Sequence, residues 1–315
     1  MRLSGYNCGI CVVLAILVLL APVAVSKVWG PSHNGGSPIV GSQAALAAKS
    51  KRLCALPPNV PSSVYPASSK QAFVENWTDG GLLVCGGGKN TTIATPPSGF
   101  SGPGYFGMGG MNISGKLDLL LISFGVKGGW ICVDATTHGC SSNLTFKLPS
   151  SFCRGEPRHT CNPNGVVITN NTLGFAYVDG DNAQLVSCTR LAASCSVDAA
   201  SSAFSGYEPA YIARDGSAMY VSDLSCTGNI WSGTISSMSV LKTVGDSLGG
   251  ITYHKALYVA DDGRCSNNSA HIIDVTTGVS LPTPFAVPGG IGGLDETLQF
   301  GAYTNLTGAG VWSTS

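Results

Sequence analysis

The chain has 315 residues, of which 17 are basic and 17 acidic, so its formal charge is zero. That balance gives nucleic acid or an anionic membrane surface no electrostatic footing as a partner. Charged residues are 11% of the chain, against about 25% in ordinary soluble domains, so either glycans hydrate the surface or much of it is buried against neighbouring subunits.

Met1-Arg2 leads into an uncharged, mostly apolar run from Gly9 to Val25, and Ala24-Val25-Ser26 offers the small residues a signal peptidase reads. Residues 1–26 are expected to be a signal peptide of an exported protein. The run is short for a membrane span and is interrupted by Pro22, so attachment to a membrane is expected only if this leader stays uncleaved. Residues 27–80 are rich in Gly, Ser, Ala and Pro, as in Pro57-Pro58-Asn59-Val60-Pro61, and read as an extended arm or propeptide. Lys49-Ser50-Lys51-Arg52 is either a processing site or a solvated basic patch, and Pro38-Ile39-Val40 could add a strand to a neighbouring subunit.

From residue 81 onward short β-type runs alternate with turn residues, and no helical period competes. Gly81–Cys85 and Thr91–Ala94 come first, then Ile131-Cys132-Val133-Asp134, then Leu173 to Asp179, Ala218 to Asp223, Ala256 to Asp261 and Ile272-Ile273-Asp274. Gly206, Gly249 and Gly292 are each 43 residues apart, and Asp134 and Asp274 are 140 apart, about three such intervals. Self-similarity at this interval predicts an all-β chain, a β-propeller of about five blades over residues 81–315, or six if residues 54–80 contribute. A β-sandwich or β-helix is the competing architecture. The longer interval from Gly110 to Gly165 accommodates an inserted loop with Cys153 and Cys161, and too few residues follow Gly292 for a full blade. Gly81–Cys85 and Thr91–Ala94 are the expected source of the missing strands.

Ten cysteines remain after the leader, an even number that argues for disulfides in an exported chain. Spacing suggests Cys132 with Cys140, Cys153 with Cys161, Cys188 with Cys195, Cys226 with Cys265, and Cys54 with Cys85, although spacing alone leaves other connectivities open. Glycosylation sequons stand at Asn76, Asn90, Asn112, Asn143, Asn170, Asn267 and Asn305, making N-linked glycans an expected attachment.

Gly245-Asp246-Ser247-Leu248 spells the GDSL hydrolase motif, yet neither His254 nor His271 has an aspartate three residues before it. A serine-protease reading fails as well, since Leu248 follows the serine and Arg158-His159-Thr160-Cys161 is a poor histidine setting. The motif is expected to be a turn, and no catalytic residue is assigned.

Leu257-Tyr258-Val259-Ala260-Asp261-Asp262-Gly263 followed by Ile272-Ile273-Asp274 resembles the repeat of NHL-type and gluconolactonase-like β-propellers. The resemblance covers about two blades well and two more loosely, and it implies the propeller fold. Gluconolactonase-like propellers hold a divalent metal with carboxylates and Asn in the channel, which makes Asp179, Asp181, Asp223, Asp261 and Asp262 the residues to test. All five follow a strand where turn chemistry alone favours Asp, and none matches the family's ligand positions, so no metal or cofactor is expected. The sequence therefore favours a secreted or cell-surface, disulfide-bonded, N-glycosylated structural or adhesive protein that self-associates, for example as a filament subunit. The alternative is a metal-dependent, lactonase-like hydrolase using the propeller channel.

Overall fold

The computed structural model describes residues 51–56, 63–76, 78–100, 106–113, 115–123, 128–148, 163–170, 174–179, 182–189, 192, 194–261, 265, 271–281, 291–294, 300–305 and 308–313. The expected signal peptide, Cys153, Cys161, Asp181, Asp262, Asn267 and the histidine at 159 lie outside the described residues. Among the described residues no helix is long and apolar enough to cross a membrane.

Strand β1 (Lys51–Leu56) comes first and belongs, in space, to the last blade. Blade I is β2 (Val64–Ser68), β3 (Gln71–Asn76), β4 (Gly81–Gly86) and β5 (Lys89–Ala94). Blade II is β6 (Phe106–Ile113), β7 (Lys116–Ser123), β8 (Gly128–Val133) and β9 (Ser142–Lys147). Blade III is β10 (Pro163–Asn170), β11 (Gly174–Asp179), β12 (Gln184–Thr189) and β13 (Ser194–Val197), followed by a short 3-10 helix, Ala199–Phe204. Blade IV is β14 (Pro209–Asp215), β15 (Ala218–Asp223), β16 (Asn229–Thr234) and β17 (Ser237–Thr243). Blade V is β18 (Leu248–His254), β19 (Ala256–Asp261), β20 (His271–Asp274) and β21 (Ser280–Leu281). Blade VI is β22 (Ile291–Leu294), β23 (Phe300–Asn305) and β24 (Gly308–Ser313), with β1 as its outer strand.

These are six four-stranded antiparallel sheets, the larger of the two blade counts expected. The first strands of successive sheets touch in turn, β2 to β6, β10, β14, β18 and β22, and β23 returns to β2, so the ring closes. Two expectations need correction. Residues 51–56, 64–68 and 71–76 are strands of the propeller, so the boundary between arm and propeller moves from residue 80 back to residue 50 at the latest. The last blade is completed by β1, while Gly81–Cys85 and Thr91–Ala94 build blade I instead. Lys51 and Arg52, read above as part of a possible processing site, pair with Ser313 and Trp312 in this closure.

Second strands such as β3, β7 and β11 are buried on both faces because each faces a blade on either side. In β7, Leu119 and Leu121 pack with Phe73, Leu82 and Val84 of blade I, whereas Leu120 and Ile122 pack with Phe175 and Tyr177 of blade III. In β11, Phe175 and Tyr177 face blade II while Ala176 and Val178 face Met219, Val221 and Trp231 of blade IV. Such strands read as continuous apolar runs, since neither face is left to water. Phe204 of the 3-10 helix meets Trp231 edge-on at 4.9 Å between ring centroids, and Tyr207 does so at 5.5 Å. Burial, and then the nearby Asp179, push the Tyr177 hydroxyl far above its ordinary range.

Among the described residues four disulfides fasten this ring. Cys54–Cys85 joins β1 to β4 across the closure, with Cα atoms 5.6 Å apart, beside a core of Leu53, Leu56, Val74 and Val311. Cys226–Cys265 joins blades IV and V, and Cys132–Cys140 and Cys188–Cys195 staple local hairpins. A chain held in this way belongs to an oxidising compartment.

Candidate functional site

The inner strands enclose a central channel of about 460 Å3, a size suited to small molecules. Its wall takes Val64 and Tyr65 from β2, residues 108–110 from β6, 165–168 from β10, 211–214 from β14, 250–253 from β18 and Leu294 from β22, with Ser63 and Gly216 at its ends. Aliphatic side chains, glycines and Tyr65, Tyr211 and Tyr253 dominate. Among the described lining residues Arg214 is the one charged side chain, and none is Asp, Glu, His or Cys.

Glycine shapes this wall at one position in particular. A methyl group on Gly110 would overlap the Tyr65 ring, so the absent side chain leaves the space in which that ring lies. Tyr253 stacks on Tyr220, with ring planes 2° apart and centroids separated by 5.8 Å. Its hydroxyl is bonded to the Asp215 carboxylate, which, with the negative charge beside it, raises the Tyr253 pKa above its usual value. The Arg214 guanidinium is held from two sides: Nε donates to the Gly216 carbonyl within its own turn, and an Nη1 hydrogen goes to the Ile168 carbonyl of blade III at 2.6 Å.

Of the aspartates weighed above as metal ligands, Asp179 and Asp223 are engaged by loop donors at the strand ends. Asp223, fully buried, accepts from Glu208 N at 3.2 Å, Ser225 N at 2.9 Å, Ser225 Oγ at 2.6 Å and Asn229 N at 3.3 Å. Asp179 accepts from the amide and side-chain nitrogens of Asn182 at 3.3 and 2.8 Å. Asp179 and Asp223 pair with Pro163 and Pro209, and Asp261 with Leu248, so all three stand where the inner strands begin. Asp134 and Asp274 close the third strands of blades II and V: Asp134 holds Lys116 Nζ at 2.8 Å, and Asp274 accepts from Thr276 N and Thr277 N at 2.8 and 3.2 Å. Their shared strand-to-turn role, three blades apart, matches the sequence repeat. No group of three or more His, Cys, Asp or Glu able to hold a metal occurs among the described residues.

The GDSL-like segment is likewise a buried turn between blades IV and V. Ser247 Oγ donates to Leu224 O at 2.7 Å, and Asp246 Oδ1 accepts from Ser247 N at 2.7 Å and Cys265 N at 2.9 Å. The Ser247 hydroxyl is thus engaged in holding the turn. Among the sequons, Asn90 on β5, Asn112 on β6 and Asn143 on β9 are exposed, and Asn76 at the end of β3 is half-buried. Asn170 and Asn305 end β10 and β23. Sequence reasoning missed Arg214 and the channel tyrosines, because no motif marks them: only their place on the innermost strands brings them together.

No family model matches the chain, and no curated relative matches it. Solved structures do. The chain is similar to a Xanthomonas campestris gluconolactonase at 12% identity and a TM-score of 0.55, over 86% of this chain and 92% of that one. It is similar to a streptogramin B lyase at 11% identity and a TM-score of 0.51, over 84% and 97%. It is also similar to a chain of a nidogen/laminin complex at 12% identity and a TM-score of 0.50, over 78% and 85%. At such identities the likeness is one of fold: the chain has the architecture of NHL-type, gluconolactonase-like and nidogen-type β-propellers, which host enzymes and binding modules alike.

Proposed function

We propose that this chain is an extracellular, N-glycosylated, non-enzymatic structural or adhesive module whose outer blade surfaces carry its contacts. The observation that carries this reading is the division of charge between rim and channel. Rim carboxylates are committed to backbone and hydroxyl donors, and the described channel wall offers no carboxylate, histidine or cysteine for metal-assisted or general acid–base hydrolysis. The lactonase-like alternative would need such a set, and at 12% identity the likeness to a gluconolactonase is one of fold alone.

Self-association is supported by the surface of blade IV, the one blade whose strands and connections carry no sequon. Its outer strand β17 exposes Val240 at 51% and Leu241 at 50%, and Ile235 in the preceding turn is 41% exposed. The strand's one charged group, Lys242, reaches instead to Val275 O of blade V at 3.2 Å. An apolar, nearly uncharged sheet edge is a template for contact with another copy, and such contacts extend into filaments when their rotation does not close.

Two measurements on protein secreted from its native source test the proposal. Intact mass should fall stepwise on glycosidase treatment. Particle mass in solution should rise with concentration, and Val240→Lys with Leu241→Lys should suppress that rise. An unshifted mass together with a strictly monomeric native chain would reject the reading.

A further inference from the structure

The channel has a second use that does not depend on the reading above. We infer that it is a binding site for a small organic monoanion, a carboxylate carrying one aromatic or branched apolar group, with Arg214 as the anion-binding residue.

Three observations carry this. The first is the isolation of the charge: Arg214 is the one charged side chain in the described wall, and among the described residues it has no carboxylate within ion-pair distance. The neighbouring carboxylate, Asp215, is engaged by the Tyr253 hydroxyl instead. Among the described residues, this guanidinium therefore stands at the channel wall without an ion-pair partner.

The second is its aim. The Gly216 and Ile168 carbonyls hold Nε and Nη1 and fix the plane of the group. Among the described residues its Nη2 donors have no hydrogen-bond partner and are left for a ligand. Because these tethers are backbone atoms of two different blades, the guanidinium keeps its place without a ligand, and an arriving carboxylate need not order it.

The third is the remainder of the wall. Tyr65, Tyr211 and Tyr253 with Val166 and Ile251 supply aromatic and aliphatic surface, and about 460 Å3 leaves room for a body larger than the charged head. One fixed cation selects one negative charge, and the tyrosine and aliphatic side chains give the organic body of the ligand a surface to pack on.

Calorimetric titration of the full secreted chain with aromatic and branched-chain monocarboxylates, phenylacetate first, tests the site. Each acid is paired with its neutral amide, for phenylacetate phenylacetamide, so that the cost of removing the charge is read on the unaltered protein. Saturable binding of one carboxylate per chain is expected, with the amide weaker by about tenfold or more, the loss of a charge-assisted hydrogen bond. Arg214→Met should weaken the acid to the level of the amide and leave amide binding unchanged, while Arg214→Lys should retain part of the difference. Near-ultraviolet circular dichroism confirms that each variant is folded. Equal affinity for acid and amide, carboxylate binding that survives Arg214→Met in a folded protein, or no binding by any member of the panel at about 10 mM would each overturn the inference.

Discussion

The rim between blades IV and V and the channel wall lie within one ring, yet they use polar chemistry in opposite ways. At the rim, Asp223 and Asp246 are buried and saturated by backbone amides and a hydroxyl, and Cys226–Cys265 bolts the two loops together. On the described wall the polar groups are tyrosine and other hydroxyls, and the one charge is a cation tethered at Nε and Nη1. Polarity at the rim maintains the fold, whereas polarity on the wall is available to a partner. Aspartate-rich strand ends therefore misdirect a functional reading of this fold, since they mark blade geometry rather than chemistry.

The sharpest way to break that comparison is to remove a rim carboxylate. Asp223→Ala strands four donors in a closed loop and should cost about 3–5 kcal/mol, measured by denaturant unfolding. A loss below about 1 kcal/mol would mean that Asp223 is spare and free for another role. Replacing Cys226 and Cys265 together by serine, which opens a connection 39 residues long, should cost about 2–4 kcal/mol by the same measurement.

Substitutions in the wall should cost less and alter binding more. Gly110→Ala forces the Tyr65 ring aside at about 1–3 kcal/mol, and binding of phenylacetate should change even where the protein remains folded. Asp198 sharpens the account of buried carboxylates by its pH dependence. Burial raises its pKa from 3.8 against the opposing hydrogen bond from Ser187 Oγ. The folded state therefore favours the protonated form, and the associated stability is complete below 3.8 and lost as pH rises through the elevated value. Asp198→Asn should thus gain on the native chain as pH increases from about 3 to 7, read as the difference in melting temperature. A constant difference across that window would remove burial as the cause.

The blade repeat was legible because second strands pressed between two neighbours read as apolar runs, and those of blades III, IV and V end in Asp179, Asp223 and Asp261. Four of the five cysteine pairs were legible, Cys132–Cys140 and Cys188–Cys195 from their short spacing, Cys226–Cys265 from matching places in adjacent blades, and Cys54–Cys85 as the pair left over; the fifth, Cys153 with Cys161, lies outside the described residues. The 43-residue glycine spacing was only partly structural. Gly249 and Gly292 both sit in bulges of inner strands, at register shifts in β18 and β22, but Gly206 lies in the turn before β14. The closing strand was not legible, for a local reason. A bulge between Arg52 and Cys54 places Leu53 and Cys54 both inside, which erases the alternation that would have announced a strand amid basic and proline-rich sequence. Arg214 was hidden for another reason, since a lone arginine on an apolar strand acquires meaning only when six strands meet around it.

The central claim, that the carboxylates of this propeller serve its rim and not a metal in its channel, is tested most directly by titrating the full secreted chain with Ca2+, Mn2+ and Zn2+ in a calorimeter. The account predicts no stoichiometric binding and an unchanged melting temperature. One equivalent of divalent ion bound tightly by the native chain and lost in Asp223→Ala would contradict it.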